Sequence, residues 1–265
     1  MAPRLCQRHI DGGRECIADT ICAEASKDSM TRSLTVLRFL LALLLLAGVG
    51  SLALAQDSRN LAPGFAARPA ASRLVVVPVD IELFSISGGG VAEPRADWTE
   101  KAQTHFHAAL EGAEGLLGRN VTRLDDKSLD ALAEINALHG AVAESVFFHH
   151  MGGFIKLPTK NGVLNWSMGD AVRPLRLATG ADYALFTWVR DSYASAERKA
   201  MMVGMALFGI GLTGGIQVGY ASLVDLNNGR IVWFNNLSRG TGDLREAESA
   251  RETVQALFKQ FPATR

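Results

Sequence analysis

Six residues late in the chain, GIGLTG, match G-x-G-x-x-G through Gly209, Gly211 and Gly214. With that spacing a dinucleotide-binding loop points free N–H groups at a pyrophosphate, provided that a strand precedes the glycines and a helix follows them. Here the following residues, GIQVGYASLVD, read as a strand, and Asp225 comes about eleven residues after Gly214, where an acid about twenty residues on is expected. The spacing therefore gives no reason to expect a nucleotide, and no cofactor is expected. His105 and His107 in one predicted helix, and His149 and His150 after a second, are the candidate metal ligands. Two ligands on one helix share a face at spacings of three or four, whereas His105 and His107 are two apart, so no metal site is expected.

For nucleophilic catalysis the chain has no G-x-S-x-G elbow. The carboxylate pairs Asp80 with Glu82 and Asp125 with Asp126 read as loop or strand-edge charges, because paired acids do chemistry only where their surroundings drive their pKa values apart. No catalytic residue is expected. The alternative readings are a periplasmic hydrolase in which the fold gathers His105, His149 and an acid around one pocket, and a small-ligand-binding module. In the latter the Gly88–Gly90 loop of SGGG would form the lip.

The remaining candidate chemistry is contact. From Ala200 to Ile216 about seventeen residues are apolar or glycine almost without interruption, beside the charged Glu197, Arg198 and Lys199. As a helix that run would reach about 25 Å, short of a membrane core, and Gly204, Gly209, Gly211, Gly214 and Gly215 weaken such a helix. A transmembrane hairpin would alternate apolar with polar residues, which this run does not. Burial against its own domain is the ordinary arrangement for such a segment; self-association and peripheral contact with a membrane are the others. The expected interaction surface is residues 200–219, with Met201, Met202, Met205, Leu207, Phe208, Ile210 and Leu212 as its contacts. Methionines suit an adaptable surface and Phe208 suits an anchor.

MTRSLTVLRFLLALLLLAGVGSLALAQ has two arginines before a short apolar run and small residues at Ala53 and Ala55. This pattern predicts a signal peptide over residues 30–55, cleaved after Ala55, and hence a periplasmic or secreted protein. Residues 1–29 have no period and read as a disordered leader, with Met30 as the expected start. Cys6, Cys16 and Cys22 all lie in that leader, so the processed chain has no thiol for a disulfide or a metal. Residues 1–55 carry six of the 27 basic and five of the 27 acidic side chains, which leaves 21 against 22 in the rest. Without a basic excess, nucleic acid is not an expected partner.

Residues 56–72 read as an extended lead-in and residues 73–265 as one domain. The β-branched run from Val75 to Ile86 predicts a strand, with Pro78 at a bulge or an edge. Asp97, three residues before Glu100, predicts a helix start with Trp98, Ala102, Phe106 and Ala109 on its apolar face. NVTRL is a short strand. Leu129, Leu132, Ile135, Val142 and Val146 mark a second helix, and DAVRPLRLAT a third that ends at Gly180. Strands follow at ADYALFTWVRDSYAS, IQVGYASLVDL and RIVWFNNLS, the last two joined by a tight turn at Asn228-Gly229. Asp243 and Glu246 open a last helix with Ala247, Ala250, Val254, Leu257 and Phe261 on one stripe. The order describes an α/β fold: a mixed sheet packed against helices, with a Gly-rich apolar insertion between two strands.

Two short motifs carry a family resemblance. Gly180-Ala181-Asp182-Tyr183 enters one strand, and Asp225-Leu226-x-x-Gly229 leads into a strand bearing Trp233. Together they resemble the exported modules related to the curli-secretion (CsgG-like) lipoproteins and the N-terminal domain of TolB. The resemblance implies an anticodon-binding-domain-like α/β fold. It also implies a non-catalytic periplasmic envelope protein that acts in assembly, forming an oligomer or binding an envelope protein. The chain lacks the lipidation cysteine and the paired membrane-crossing hairpins of the pore formers.

Overall fold

The computed structural model describes residues 59–153 and 155–265. The leader, the signal peptide, its cleavage site and the three cysteines lie outside the described residues. The β-branched run forms strand in two pieces, β1 (Leu74–Val76) and β2 (Asp80–Ile86), both parallel to one edge of the long β5 (Tyr183–Ala194). Val76 pairs with Leu185 and Asp80 with Trp188, so four steps on one strand oppose three on the other. The extra residue is a bulge at Val77–Val79, where Pro78 has no N–H for the ladder. Pro78 is not at a sheet edge: β4 (Val121–Arg123) flanks β1, and β3 (Ala92–Pro94) flanks β2.

The bulge also switches the alternation of side chains. Leu74 and Val76 before it, and Val79, Ile81 and Leu83 after it, all enter one core layer, while Val75 and Val77 enter the other. On the far edge of β5 run the antiparallel β6 (Gln217–Asp225) and β7 (Ile231–Arg239). The lead-in lies along β7, where Ala62 N–H donates to the Val232 carbonyl at 2.9 Å and Phe234 N–H to that of Asn60 at 2.9 Å.

Helices cover both faces. The first layer holds α1 (Ala96–Gly112), through Ala102, Phe106, Ala109 and Leu110, together with the last helix, through Ala250, Val254 and Leu257. α2 (Glu114–Leu117) is a short turn after α1. The second expected helix is divided: Asp125 caps a short α3 (Asp126–Asp130) by accepting from Ser128 N–H at 2.7 Å, and α4 (Ala133–Val146) follows. Ile135, Ala143 and Val146 of α4 enter the second layer, as does Leu175 of α5 (Arg173–Thr179). α5 ends where Gly180 takes the left-handed φ of 64° that glycine permits at low cost. The insertion contributes α6 (Ala196–Ala206), and the last helix is α7 (Ala247–Leu257).

Two expected caps differ. Asp97 lies inside the first turn of α1, where its carboxylate pairs with Arg95, and that pairing holds the carboxyl below its usual range. Asp243 pairs with Arg245 ahead of α7 and does not cap it. At the β6–β7 turn only Gly229 takes a positive φ, of 73°.

Candidate functional site

The apolar insertion is built outward, not inward. Ser195 opens α6, its hydroxyl accepting from Arg198 N–H at 3.1 Å. The Glu197 N–H and then the Ser195 side chain hold the Glu197 carboxyl below its usual range. Arg198 ties the helix down by donating to the Gly88 carbonyl at 3.5 Å and the Thr213 carbonyl at 3.4 Å. The helix stops before the glycine cluster, with Gly209 left-handed at φ 75° and Ile210 N–H closing on the Met205 carbonyl at 3.0 Å. The return coil is fastened to β5: Ala194 N–H donates to the Gly214 carbonyl at 2.7 Å, and Ile216 N–H to the Ser192 hydroxyl at 2.9 Å. Gly215 is required there, because a Cβ would overlap the Ser192 carbonyl oxygen.

Between those anchors the side chains point to solvent. Leu207 is 83% exposed, Phe208 80% and Val203 68%. Met201, Ile210 and Ile216 are exposed, while Met202, Met205 and Leu212 are half-buried, Met202 against Gly214. Burial against its own domain, the ordinary arrangement, is not what the fold adopts. No residue of α6 is buried, because the helix runs on beyond the ends of β2 and β5 and meets the Gly88 turn and the return coil. The GIGLTG motif lies in this coil, and a strand follows it, so no helix N-terminus stands behind its glycines. Among the described residues no helix is long and apolar enough to cross a membrane.

The four histidines do not converge. His105 and His107 ride on α1 over the first face of the sheet, while His149 and His150 follow α4 on the second. His149 Nδ1 is 2.8 Å from the Ile155 carbonyl, and His150 Nε2 is 2.7 Å from that of Arg59. No group of three potential metal ligands occurs among the described residues. The His105, His149 and acid cluster that would motivate a hydrolase is divided by the sheet. Asp80 and Glu82 both bind Arg190, at 2.7 and 3.3 Å, and Asp125 is the cap of α3. The Gly88–Gly90 loop is the turn of the β2–β3 hairpin and the seat of α6.

Sequence reasoning passed over His139 and the cavity around it. On the second face a cavity of about 450 Å³ opens between α4 and the sheet, walled by Phe147, Phe148, Phe186, Trp188 and Tyr220. His139 stacks on Phe186 with ring centroids 3.9 Å apart, and Trp188 lies near-parallel to Tyr220 at 5.1 Å. Burial keeps the imidazole neutral, its pKa lowered to about 3. Burial, with Asp80 beside it, keeps the Tyr220 hydroxyl protonated. The available signal was His139 on the apolar stripe of α4, four residues after Ile135 and four before Ala143. On the first face, the carboxylate of buried Asp191 accepts from Tyr193 and Gln217, and Arg239 links Gln217 to Thr253 of α7. Burial raises the Asp191 pKa, and this network fastens α7 to the sheet.

No family model matches the chain, and no curated protein matches it. Among solved structures it is similar to the PelC dodecamer from Paraburkholderia phytofirmans, at 13% identity over 77% of this chain and 95% of that one, with a TM-score of 0.36. The C-terminal domain of LpoB from Salmonella enterica matches at 11% identity over 67% of this chain and 87% of that one, with a TM-score of 0.27. Lipoprotein GNA1162 from Neisseria meningitidis matches at 15% identity over 63% of this chain and 79% of that one, with a TM-score of 0.24. None of the three is a curli-secretion lipoprotein or TolB, and at these scores the likenesses assign no role to any residue here.

Proposed function

We propose that this chain is a non-catalytic, exported envelope module that works by protein–protein contact, with the insertion from Met201 to Ile216 as its contact surface. One observation carries the reading: Leu207 and Phe208, the two largest side chains at the turn after α6, are more than three-quarters exposed on a segment anchored at both ends. Large contiguous apolar patches on soluble proteins mark partner sites. A segment already fastened at Arg198, Gly214 and Ile216 loses little conformational freedom when it docks. The partner is a second copy or another envelope protein, and the export expected from the signal peptide over residues 30–55 would put the contact outside the cytoplasm.

The test is site-directed photo-crosslinking in cells, with Phe208→p-benzoylphenylalanine set against the same substitution at Leu177. Leu177, on α5, is 79% exposed but lies outside the insertion. A discrete adduct from position 208 and none from 177 supports the reading. Equal behaviour of the two positions, with a monomer in solution at high concentration, overturns it.

A further inference from the structure

We propose that the cavity between α4 and the sheet binds a small organic cation, an amine or quaternary ammonium carried on an apolar or aromatic body. At about 450 Å³ it falls within the roughly 300–1,000 Å³ typical of small-molecule sites, and apolar surface predominates in its lining. The aromatic side chains of Phe186, Trp188 and Tyr220 line it, and an aromatic ring attracts a cation through its quadrupole. The charged side chains that line it are both acids, Asp80 and Glu144, and no lysine or arginine does so. His139 adds no positive charge, because burial holds it neutral.

The two acids are not equivalent. Asp80 is engaged by Arg190 at 2.7 Å, and the same guanidinium sits 4.7 Å from the centre of the Trp188 ring. Arg190 does not itself line the cavity, but two residues that do, Asp80 and Trp188, hold it by the chemistry proposed for the ligand. The carboxylate of Glu144, on the exposed side of α4, makes no hydrogen bond or ion pair among the described residues. It is the free counter-charge, and it lies close enough to Tyr220 to act on that hydroxyl. An anion would meet two carboxylates and no donor of opposite charge. A neutral hydrocarbon would leave Glu144 unused.

The test titrates the intact chain with benzyltrimethylammonium and, separately, with phenylacetate, following tryptophan fluorescence and calorimetry. Saturable binding of the cation is expected, at least about tenfold tighter than that of the anion, a difference of about 1.4 kcal/mol. Glu144→Gln, an exposed substitution that leaves the core intact, is expected to weaken the cation by about tenfold without weakening the anion. Trp188→Leu is expected to abolish cation binding in a chain whose circular dichroism is that of the wild type. Absence of saturable cation binding, equal affinity for the anion, or an unaltered cation affinity in Glu144→Gln would each overturn the proposal.

Discussion

His139 Nε2 lies 2.6 Å from the Ser222 hydroxyl, across the buried layer between α4 and β6. The folded pKa is lowered to about 3 against an unfolded value of 6.5. Below pH 6.5 the unfolded chain therefore takes up a proton that the folded chain refuses, and stability falls as pH drops from 6.5 toward 3. At about 1.4 kcal/mol per unit, the loss is on the order of 3–5 kcal/mol over that range. Urea midpoints measured from pH 7.5 to 4 should show the decline, and His139→Gln should flatten it while keeping a partner for Ser222.

Gly229 packs against Gly169 so closely that a Cβ would overlap the Gly169 carbonyl oxygen, and its φ is positive. Gly229→Ala is expected to cost about 2–3 kcal/mol through backbone strain and overpacking. Gly211→Ala, with open space around it and no positive φ, should stay within about 0.5 kcal/mol of wild type. Thermal melts of the two variants decide between them.

Truncation at the contact surface should leave the fold intact. Phe208→Ser is expected to change stability by less than about 0.5 kcal/mol, whereas Phe106→Ala, at a fully buried position, should cost about 3–5 kcal/mol. A destabilisation by Phe208→Ser comparable to that of Phe106→Ala would show the side chain to be core.

Arg68 is buried and has no acidic partner among the described residues. It donates to the Leu117 carbonyl at 2.5 Å and to that of Pro262 at 3.4 Å, with the Phe261 ring 5.2 Å away. Arg68→Met keeps much of the bulk but orphans two carbonyls, and a loss of about 2–3 kcal/mol is expected. Limited proteolysis should then cut first within residues 59–72, the segment that Arg68 holds to the C-terminus.

Much of the architecture was legible in the sequence because it rests on local rules. Asn228-Gly229 marks a hairpin turn, Gly180 ends a helix, and the stripe of Ala250, Val254 and Leu257 lies on the sheet as its spacing requires. The misreadings are equally local. Asp97 and Asp243 have the right type and spacing for caps, but each has an arginine two residues away that takes the carboxylate instead. β3 was not foreseen, because three exposed residues that include a proline carry no periodic signal and owe their strand geometry to β2.

By itself the sequence determined the main strands and helices outside the insertion, and that the run from Ala200 to Ile216 is a poor membrane-spanning helix, since length, glycine content and periodicity are properties of the chain alone. Only the tertiary structure decided which apolar surface stays uncovered. Nothing in the composition of α6 distinguishes a buried helix from one that leaves the end of β5 at Ser195, and nothing around His139 announces a cavity. Both depend on where neighbouring elements stop: α6 projects beyond the ends of the strands that could have covered it, and α4 leaves a gap between its side chains and the aromatic rows of β5 and β6.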